Sequence, residues 1–381
     1  MYIVIAPDSF KESLSAEGVA QAIARGVRTV APQARVACVP MADGGEGSLD
    51  AVLAATGGER RHKTVHDANG QPCQADWGWL GQGRAFIEMA SAAGLERIPP
   101  EQRRPLQAST RGVGELIVAA LDAGARQIVI GLGGSATNDG GAGVLQALGV
   151  RLLDAQNRDL PAGGLALQNL HHIDVTGADA RLAGVRFELA VDVDNPLCGP
   201  RGASAVFGPQ KGATQEDVAA LDAALENFAQ ICSRQFGTDR REQPGMGAAG
   251  GLGFGIAACF EASFRPGVEL VAELAGLAHT LVGADLVFTG EGRMDAQTLH
   301  GKTPAGVARY AKEAGAPVIA LAGALGAGYE ALSDIGITAA FSLASGPMTL
   351  AQACEQAPAL LAQRAGDCMR VFLARPPGVC P

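Results

Sequence analysis

The residues best suited to chemistry form a glycine-dense segment, GLGGSATNDGGAG, which runs from Gly131 to Gly143. It follows the apolar run 127–130 and leads into the helix-like run 144–148. Glycine permits close backbone approach and positive φ, and a loop between a strand and a helix start presents several N–H groups to an anion. The segment therefore predicts a loop that binds phosphate or substrate. A tight turn with close helix packing is the alternative interpretation.

Acidic residues beside glycine or a cation follow three predicted strands, in segments 7–11, 42–47 and 289–295. Ligands of open α/β sheets bind beyond the carboxyl ends of the strands, so three such ends indicate a site, although each alone would be an ordinary turn. Segments 192–197 and 207–212 add two acids and a lysine. Carboxylates for Mg²⁺, a cation, a phosphate-binding loop and one base are what phosphoryl transfer requires.

The elements that must position these residues alternate between strand and helix at both ends of the chain. Strands are predicted over 2–6 and 35–40, with a helix capped by Ser15 between them and a second helix over 46–55. The rhythm changes near residue 62, where 64–88 predicts antiparallel strands with Asn69-Gly70 as a hairpin turn. Thr110 is predicted to cap a helix over 112–122, and 189–193 to form a strand. Strand and helix alternate again from residue 285. This pattern predicts a doubly wound α/β domain interrupted by a second α/β domain.

Composition excludes several classes of function. A net charge of −9 leaves no basic footprint for nucleic acid or an anionic membrane. The eight cysteines contain no CxxC pair, and the six histidines show no zinc-type spacing. Residues 1–8 are typical of a first strand rather than a signal peptide, and no run approaches the ~20 apolar residues of a membrane span. We expect a cytoplasmic enzyme with small-molecule substrates and without nucleic-acid or membrane partners.

Two short motifs suggest other nucleotide sites. Gly301-Lys302-Thr303 is similar to the end of a P-loop, but Ala296 stands where the first glycine would be, so we reject it. Residues 131–136 fit the dinucleotide fingerprint G-x-G-x-x-A, with Asp154 at about the expected distance. That fit supports an NAD(P)-dependent hydroxy-acid reductase as a rival function. A non-catalytic sensor of a sugar acid is a third hypothesis.

Seven segments, in order and with matching spacing, resemble the type-1 glycerate kinases. They are APDSFKESLSA (6–16), MADGGEGS (41–48), GLGGSATNDGGAG (131–143), DVDNPLCG (192–199), FGPQKGA (207–213), GAAGGLG (247–253) and TGEGRMDAQTLHGKTP (289–304). The resemblance implies transfer of the γ-phosphoryl group of ATP to D-glycerate with Mg²⁺. Similar bacterial members give 2-phosphoglycerate, and 3-phosphoglycerate is the alternative product. It also implies a flavodoxin-like domain, here 1–62 and 285–381, interrupted by an inserted α/β domain over 63–284.

The resemblance brings a set of expected roles. Asp192 is the candidate base, because burial at a strand end would raise its pKa; holding Asn195 or a backbone amide is the alternative. Lys11 is the first candidate to neutralise the transferring phosphate, and Lys211 the second, unless either is a solvated surface lysine. Arg293 is expected to clamp the glycerate carboxylate, or else to be ion-paired.

The remaining expected roles concern the metal and the substrates. Asp43 and Glu46 are the expected Mg²⁺ ligands, directly or through water, with Asp8 and Asp295 competing for that role. The residues expected to contact substrate or phosphate oxygens are Asp8, Ser9, Gly133, Gly134, Ser135, Thr137 and Glu291. Whether the protein is a homo-oligomer is left open by the sequence.

Overall fold

The structure, a computed structural model, describes residues 1–237, 239–299 and 302–374. The described strands are β1 Tyr2–Ile5, β2 Arg35–Cys38, β3 Glu59–His66, β4 Pro72–Gly81, β5 Arg84–Glu88, β6 Gln127–Gly131, β7 Arg151–Leu153, β8 His172–Asp174, β9 Arg186–Ala190, β10 Ala262–Arg265, β11 Leu286–Met294, β12 Val318–Leu325 and β13 Ala339–Ser342. The described helices are α1 Ala16–Val30, α2 Ser48–Thr56, α3 Ala90–Ala93, α4 Arg111–Asp122, α5 Ala142–Ala147, α6 Ala203–Phe207, α7 Gln215–Phe236, α8 Leu252–Cys259, α9 Gly267–Leu274, α10 Leu277–Thr280, α11 Thr303–Glu313 and α12 Leu350–Leu373.

The chain separates into two compact units. Unit one comprises 1–43, 50–57 and 268–381, and unit two comprises 44–49 and 58–267. The sequence interpretation placed the corresponding changes at residues 62 and 285, and that division into domains stays a prediction. No helix in the described part of the chain is long and apolar enough to cross a membrane.

Unit one is built on a parallel sheet of five strands in the order β13-β12-β11-β1-β2. Helices α1 and α12 pack together on the sheet face that carries Ile3 and Ile5. Val4, on the opposite face, is also fully buried, so both faces of the sheet are covered. This explains the continuous apolar run at the start of the chain, since strands buried on both faces do not alternate.

The predicted start of α1 is confirmed. Ser15 has extended backbone and its Oγ accepts a hydrogen bond of 3.2 Å from the Gly18 amide, which satisfies one of the unpaired N–H groups at the helix start. Gly26 lets α1 approach α12 closely, because a Cβ there would lie 2.0 Å from the Ala362 carbonyl oxygen.

Unit two contains a mixed sheet of six strands in the order β10-β9-β6-β5-β4-β3. Strands β5, β6, β9 and β10 run parallel, and β3 and β4 add an antiparallel hairpin at one edge. The predicted hairpin turn is confirmed: Asp67 Oδ1 accepts the amides of Asn69 and Gln71, and Gly70 has φ +79°. Both units are therefore α/β, one with a parallel and one with a mixed sheet.

Four sequence expectations about element ends were wrong. The side chain of Thr110 does not cap α4; its hydroxyl instead donates to Asp139 Oδ2 at 2.9 Å and accepts from the Val144 amide. Strand β9 ends at Ala190 rather than at residue 193, so Asp192 lies in the loop beyond it. Helix α2 begins at Ser48, which leaves Glu46 in the loop before the helix. The strand predicted to end at residue 288 likewise continues, as β11, to Met294, so Glu291 lies within the strand.

Candidate active site

Parallel pairing in unit one brings three carboxylates to one edge of the sheet. Strand β1 ends at Ile5, which lies opposite Phe288 of β11, and the Asp8 amide continues the pairing by donating to the Gly290 carbonyl at 2.8 Å; β11 itself runs on to Met294 and carries Glu291. Beyond β2, the Met41 amide donates to the Pro7 carbonyl at 2.9 Å and so directs the chain toward Asp43. Asp8, Asp43 and Glu291 consequently lie close enough for their charges to interact.

The electrostatics of this acidic cluster favour a cation. Burial, followed by the negative charge of Asp43, raises the pKa of Asp8 to about 7, although hydrogen bonds from Thr303 and Ser9 oppose the shift. Burial also raises the pKa of Glu291, despite its bonds to Thr298 and Lys302. Carboxylates that resist ionising together are stabilised by a positive charge placed among them.

The start of helix α11 and the residue before it supply two side chains that the sequence reasoning did not assign to the site. Thr303, in the first turn, donates its hydroxyl to Asp8 Oδ2, and Lys302 Nζ lies 3.2 Å from Glu291 Oε2. Lys302 and Thr303 form the end of the segment that is similar to a P-loop, so a sequence signal marks both residues. The rejection of a P-loop holds for the described part of the segment, where residues 296–299 form a 3-10 turn. His300 and Gly301, which belong to the same motif, lie outside the described residues.

The other predicted residues of unit one divide into two groups. Ser9 belongs to the cluster, since its amide donates to Asp8 Oδ1 at 2.6 Å. Lys11 is exposed in the turn that follows, one residue before Glu12, which has φ +62°. Arg293 Nε lies 3.2 Å from Asp295 Oδ2, and its side chain is 71% exposed. The ion-paired alternative for Arg293 is therefore the state seen here.

No three His, Cys, Asp or Glu side chains within residues 1–237, 239–299 and 302–374 are arranged to ligate one metal ion. Mg²⁺ usually keeps several waters and needs only one or two protein carboxylates. The acidic cluster, with its surplus of negative charge, fits such a partly hydrated ion. Asp295 is placed less well, because its carboxylate also accepts the Gln297 amide at 2.9 Å.

The glycine-dense segment of unit two forms the loop between β6 and α5, and Asp139 holds it together. The buried carboxylate accepts hydrogen bonds from the Thr110 amide and hydroxyl and from the Gly141 and Gly143 amides, at 2.8 to 3.1 Å. Burial raises its pKa, and these donors oppose the shift. Asp139 is therefore a structural centre of the loop rather than a residue presented to a ligand.

The end of the loop from Gly133 to Ser135, where Gly134 is exposed, is the part suited to an anion. Within the described residues, the amides of Gly133, Gly134 and Ser135 donate to no protein acceptor. Gly134 has φ +70°, and a Cβ on Gly133 would lie 2.7 Å from the Gly45 Cα. Successive unpaired amides of this kind form an anion-binding concavity. Such an arrangement is what the predicted roles of Gly133, Gly134 and Ser135 require.

Thr137 and Lys211, in contrast, point into the interior. Thr137 is fully buried, and its Oγ1 has no hydrogen-bond partner among the described residues. Lys211 is 2% exposed, and its Nζ donates to Ser135 Oγ at 2.9 Å and to the Thr137 carbonyl at 2.6 Å. Burial lowers the pKa of Lys211 to about 7, although the charge of Asp139 opposes the shift. The structure therefore excludes a solvated surface lysine at this position.

Asp192 and Glu46 are both exposed. Asp192 Oδ1 accepts the Gly267 amide at 3.0 Å, so the carboxylate holds a backbone amide, as the alternative interpretation stated. The burial that was expected to raise its pKa is not seen. Its role as a base stays a prediction.

The second glycine-dense loop, 245–255, packs against the first one. A Cβ on Gly250, which has φ +67°, would lie 2.1 Å from the Thr137 carbonyl oxygen, and the Gly140 amide donates to the Gly250 carbonyl at 2.9 Å. Many of the glycines thus allow two backbones to touch. Close packing, the alternative interpretation of the glycines, accounts for this half of the loop.

The dinucleotide fingerprint also lacks its expected setting. A Rossmann helix begins within the fingerprint, whereas α5 begins only at Ala142. The Asp154 carboxylate accepts the amides of Gln156 and Arg158 and pairs with the Arg158 side chain. Neither feature supports a nicotinamide site.

The sequence profile of the glycerate kinase family matches residues 3–373. The chain belongs to the glycerate kinase family. It is 50% identical over 364 residues to the glycerate kinase of Halalkalibacterium halodurans, and the aligned region covers 95% of this chain and 96% of that protein. It is 48% identical over 354 residues to the glycerate 2-kinase of Escherichia coli, covering 93% of each.

A solved structure supports the same family assignment. The crystal structure of a protein assigned as glycerate kinase 2 from Salmonella typhimurium matches with a TM-score of 0.90 and 48% identity, covering 98% of each chain. The glycerate kinase motifs recognised in the sequence are thus carried on the fold of a family relative.

Proposed function

We propose that this protein transfers the γ-phosphoryl group of ATP to the 2-hydroxyl of D-glycerate, giving 2-phospho-D-glycerate. The observation that carries this function is the cluster of Asp8, Asp43, Glu291, Lys302 and Thr303 at the carboxyl edge of the parallel sheet. Carboxylates for a hydrated cation and a lysine for phosphate charge meet there, as phosphoryl transfer requires. The relative from Escherichia coli named glycerate 2-kinase supports the choice of hydroxyl.

We assign Mg²⁺ to Asp43 with Asp8, and Glu46 and Asp295 are the further candidates from the sequence. When bound, Mg²⁺ neutralises charge on the phosphate oxygens. Thr303 and Ser9 orient the Asp8 carboxylate by donating to it from both sides. The Lys302 ammonium balances Glu291 and supplies a cation beside the transferring group, alongside the predicted Lys11.

The anions of the substrates are assigned to amides and arginine. The unpaired amides of Gly133, Gly134 and Ser135 would bind phosphate oxygens. Arg293 would bind the glycerate carboxylate in a bidentate manner, exchanging the Asp295 carboxylate for that of the substrate. Asp192 would accept the proton of the attacking hydroxyl.

We infer that unit one is a flavodoxin-like domain. The strand order of unit one, β13-β12-β11-β1-β2, agrees with a flavodoxin-like sheet whose chain is interrupted by the segment that forms unit two. We also propose that the enzyme acts in the cytoplasm, where ATP is available. 3-Phosphoglycerate is the alternative product of the same kinase.

The test is ADP formation that depends on D-glycerate and Mg²⁺, measured for wild type, Lys302→Met and Lys312→Met. Lys312 lies exposed near the end of α11 and is the matched control. We expect kcat/KM to fall roughly 100-fold in Lys302→Met, in the range that follows loss of a group stabilising transition-state charge, and to be unchanged in Lys312→Met. Absence of glycerate-dependent ADP formation by wild type would refute the function. Full activity of Lys302→Met would remove Lys302 from it.

A further inference from the structure

Lys211 joins two separate segments of unit two through its buried side chain. It ends the turn Pro209–Lys211 and reaches the glycine loop, where Nζ donates to Ser135 Oγ and to the Thr137 carbonyl. Both acceptors lie inside the unit, since Ser135 is 9% and Thr137 0% exposed. The side chain thus holds the loop from its interior side.

These two bonds set the direction of the loop backbone. The Thr137 carbonyl is directed inward to Nζ. Pairing with the end of α3 and the residues just after it fixes the preceding residues, because the Ala136 amide donates to the Ala93 carbonyl and the Leu95 amide donates to the Gly134 carbonyl. The amides of Gly133 and Gly134 are left at the exposed end of the loop. Removing the lysine would leave the Thr137 carbonyl buried without a donor, and the backbone would move to regain one.

The geometry also argues against direct contact between Nζ and a ligand. A side chain that is 2% exposed while it makes both bonds offers almost no surface to a phosphate. An ammonium has three N–H donors and a neutral amine has two, so either form can make both bonds. The side chain can therefore hold the loop whether or not it is protonated.

We propose that Lys211 is a positioning residue, which holds the glycine loop so that the amides of Gly133, Gly134 and Ser135 face the ligand, and is not itself a ligand of the transferred phosphate. The catalytic part of this inference rests on the proposed function. The structural part, that Lys211 holds the loop in the enzyme without ligand, does not.

The experiment compares Lys211→Met with Lys63→Met, an exposed lysine on β3 of the same unit. Amide hydrogen exchange is measured without ligand over residues 136–143, where Ala136 and Gly140 donate to Ala93 and Gly250. Exchange is expected to be about ten-fold faster or more in Lys211→Met, as expected when a local opening is favoured, and unchanged in Lys63→Met. Misplacement of a substrate-binding group by about 1 Å can lower the rate about 100-fold. We therefore expect kcat/KM of Lys211→Met to fall roughly 10- to 100-fold, and KM for the anionic substrate bound by the loop to increase.

Unchanged exchange together with lost activity would overturn the proposal and make Lys211 a direct ligand. Faster exchange with unchanged kcat/KM would also overturn it, because the loop would be held without consequence for catalysis. If Lys211→Met does not fold, Ser135→Ala takes its place, because it removes only one of the two acceptors of Nζ. Amide exchange over residues 136–143 is then expected to become faster by a smaller factor. Unchanged exchange in Ser135→Ala would contradict the proposal. A wild type without glycerate-dependent activity would refute the proposed function, whereas the exchange comparison would still test whether Lys211 holds the loop.

Discussion

Replacing Asp139 by alanine tests the claim that one buried carboxylate assembles the glycine loop. The change removes the acceptor of three backbone amides and one hydroxyl, all within 3.1 Å and all buried. Each buried donor left unsatisfied costs about 1–3 kcal/mol. Part of this cost is offset, because the variant no longer buries a carboxylate, and burial of that carboxylate is unfavourable, as its raised pKa shows. We expect a net loss of roughly 3–5 kcal/mol, against a typical total of about 5–15 kcal/mol.

The assay uses the two tryptophans of the sequence, Trp77 and Trp79, which both lie on β4 of unit two. Their fluorescence in urea therefore reports the unfolding of the unit that contains Asp139. The matched control is Asp154→Ala, since Asp154 accepts the Gln156 and Arg158 amides at the surface, where water replaces the lost acceptor. The control should lose much less stability than Asp139→Ala. A loss below about 1 kcal/mol in Asp139→Ala would refute the reasoning.

Three further predictions follow from particular contacts. Gly250→Ala should destabilise unit two by at least about 2 kcal/mol, because φ is +67° and the new Cβ would lie 2.1 Å from the Thr137 carbonyl oxygen. The control is Gly184→Ala, whose new Cβ would meet nothing within 4 Å. Equal urea midpoints for the two variants would contradict this prediction. Burial lowers the pKa of Lys211 from 10.5 to about 7, so between these pH values the unfolded chain binds a proton that the folded chain lacks. The free energy of unfolding of wild type, relative to that of Lys211→Met, should therefore rise with pH across that window, by at most about 1.4 kcal/mol per pH unit. If the difference between the two proteins is constant or falls between pH 7.5 and 9.5, the result is inconsistent with a buried lysine of lowered pKa. Arg293→Lys should raise KM for D-glycerate about ten-fold, because an ammonium group cannot bind the glycerate carboxylate in a bidentate manner. The free energy of unfolding should change by less than about 1 kcal/mol. An unchanged KM would assign Arg293 to its ion pair with Asp295 alone.

The sequence predicted those features that are set by neighbouring residues. The hairpin turn at Asn69-Gly70, the Ser15 cap and the strand end that carries Asp8 all follow from patterns within a few residues. The carboxyl edge of a parallel sheet then explains why Asp8, Asp43 and Glu291 meet, although they are far apart in the chain.

The features that were missed depend on partners distant in sequence. Thr303 bonds to Asp8 across 295 positions, and Lys211 bonds to Ser135 across 76. Thr110 has the residue type of a helix cap, but the carboxylate of Asp139, 29 positions away, competes for its hydroxyl. Local propensity favours a cap there, and only tertiary packing decides which hydrogen bond forms.

Product identity tests the central claim most directly. ³¹P NMR of the products formed from ATP, Mg²⁺ and D-glycerate should show 2-phosphoglycerate for wild type and almost none for Asp192→Asn. Full activity of that variant would remove Asp192 from the mechanism, and a 3-phosphoglycerate signal would overturn the assigned hydroxyl. Absence of any phosphoglycerate from the wild-type reaction would contradict the account as a whole.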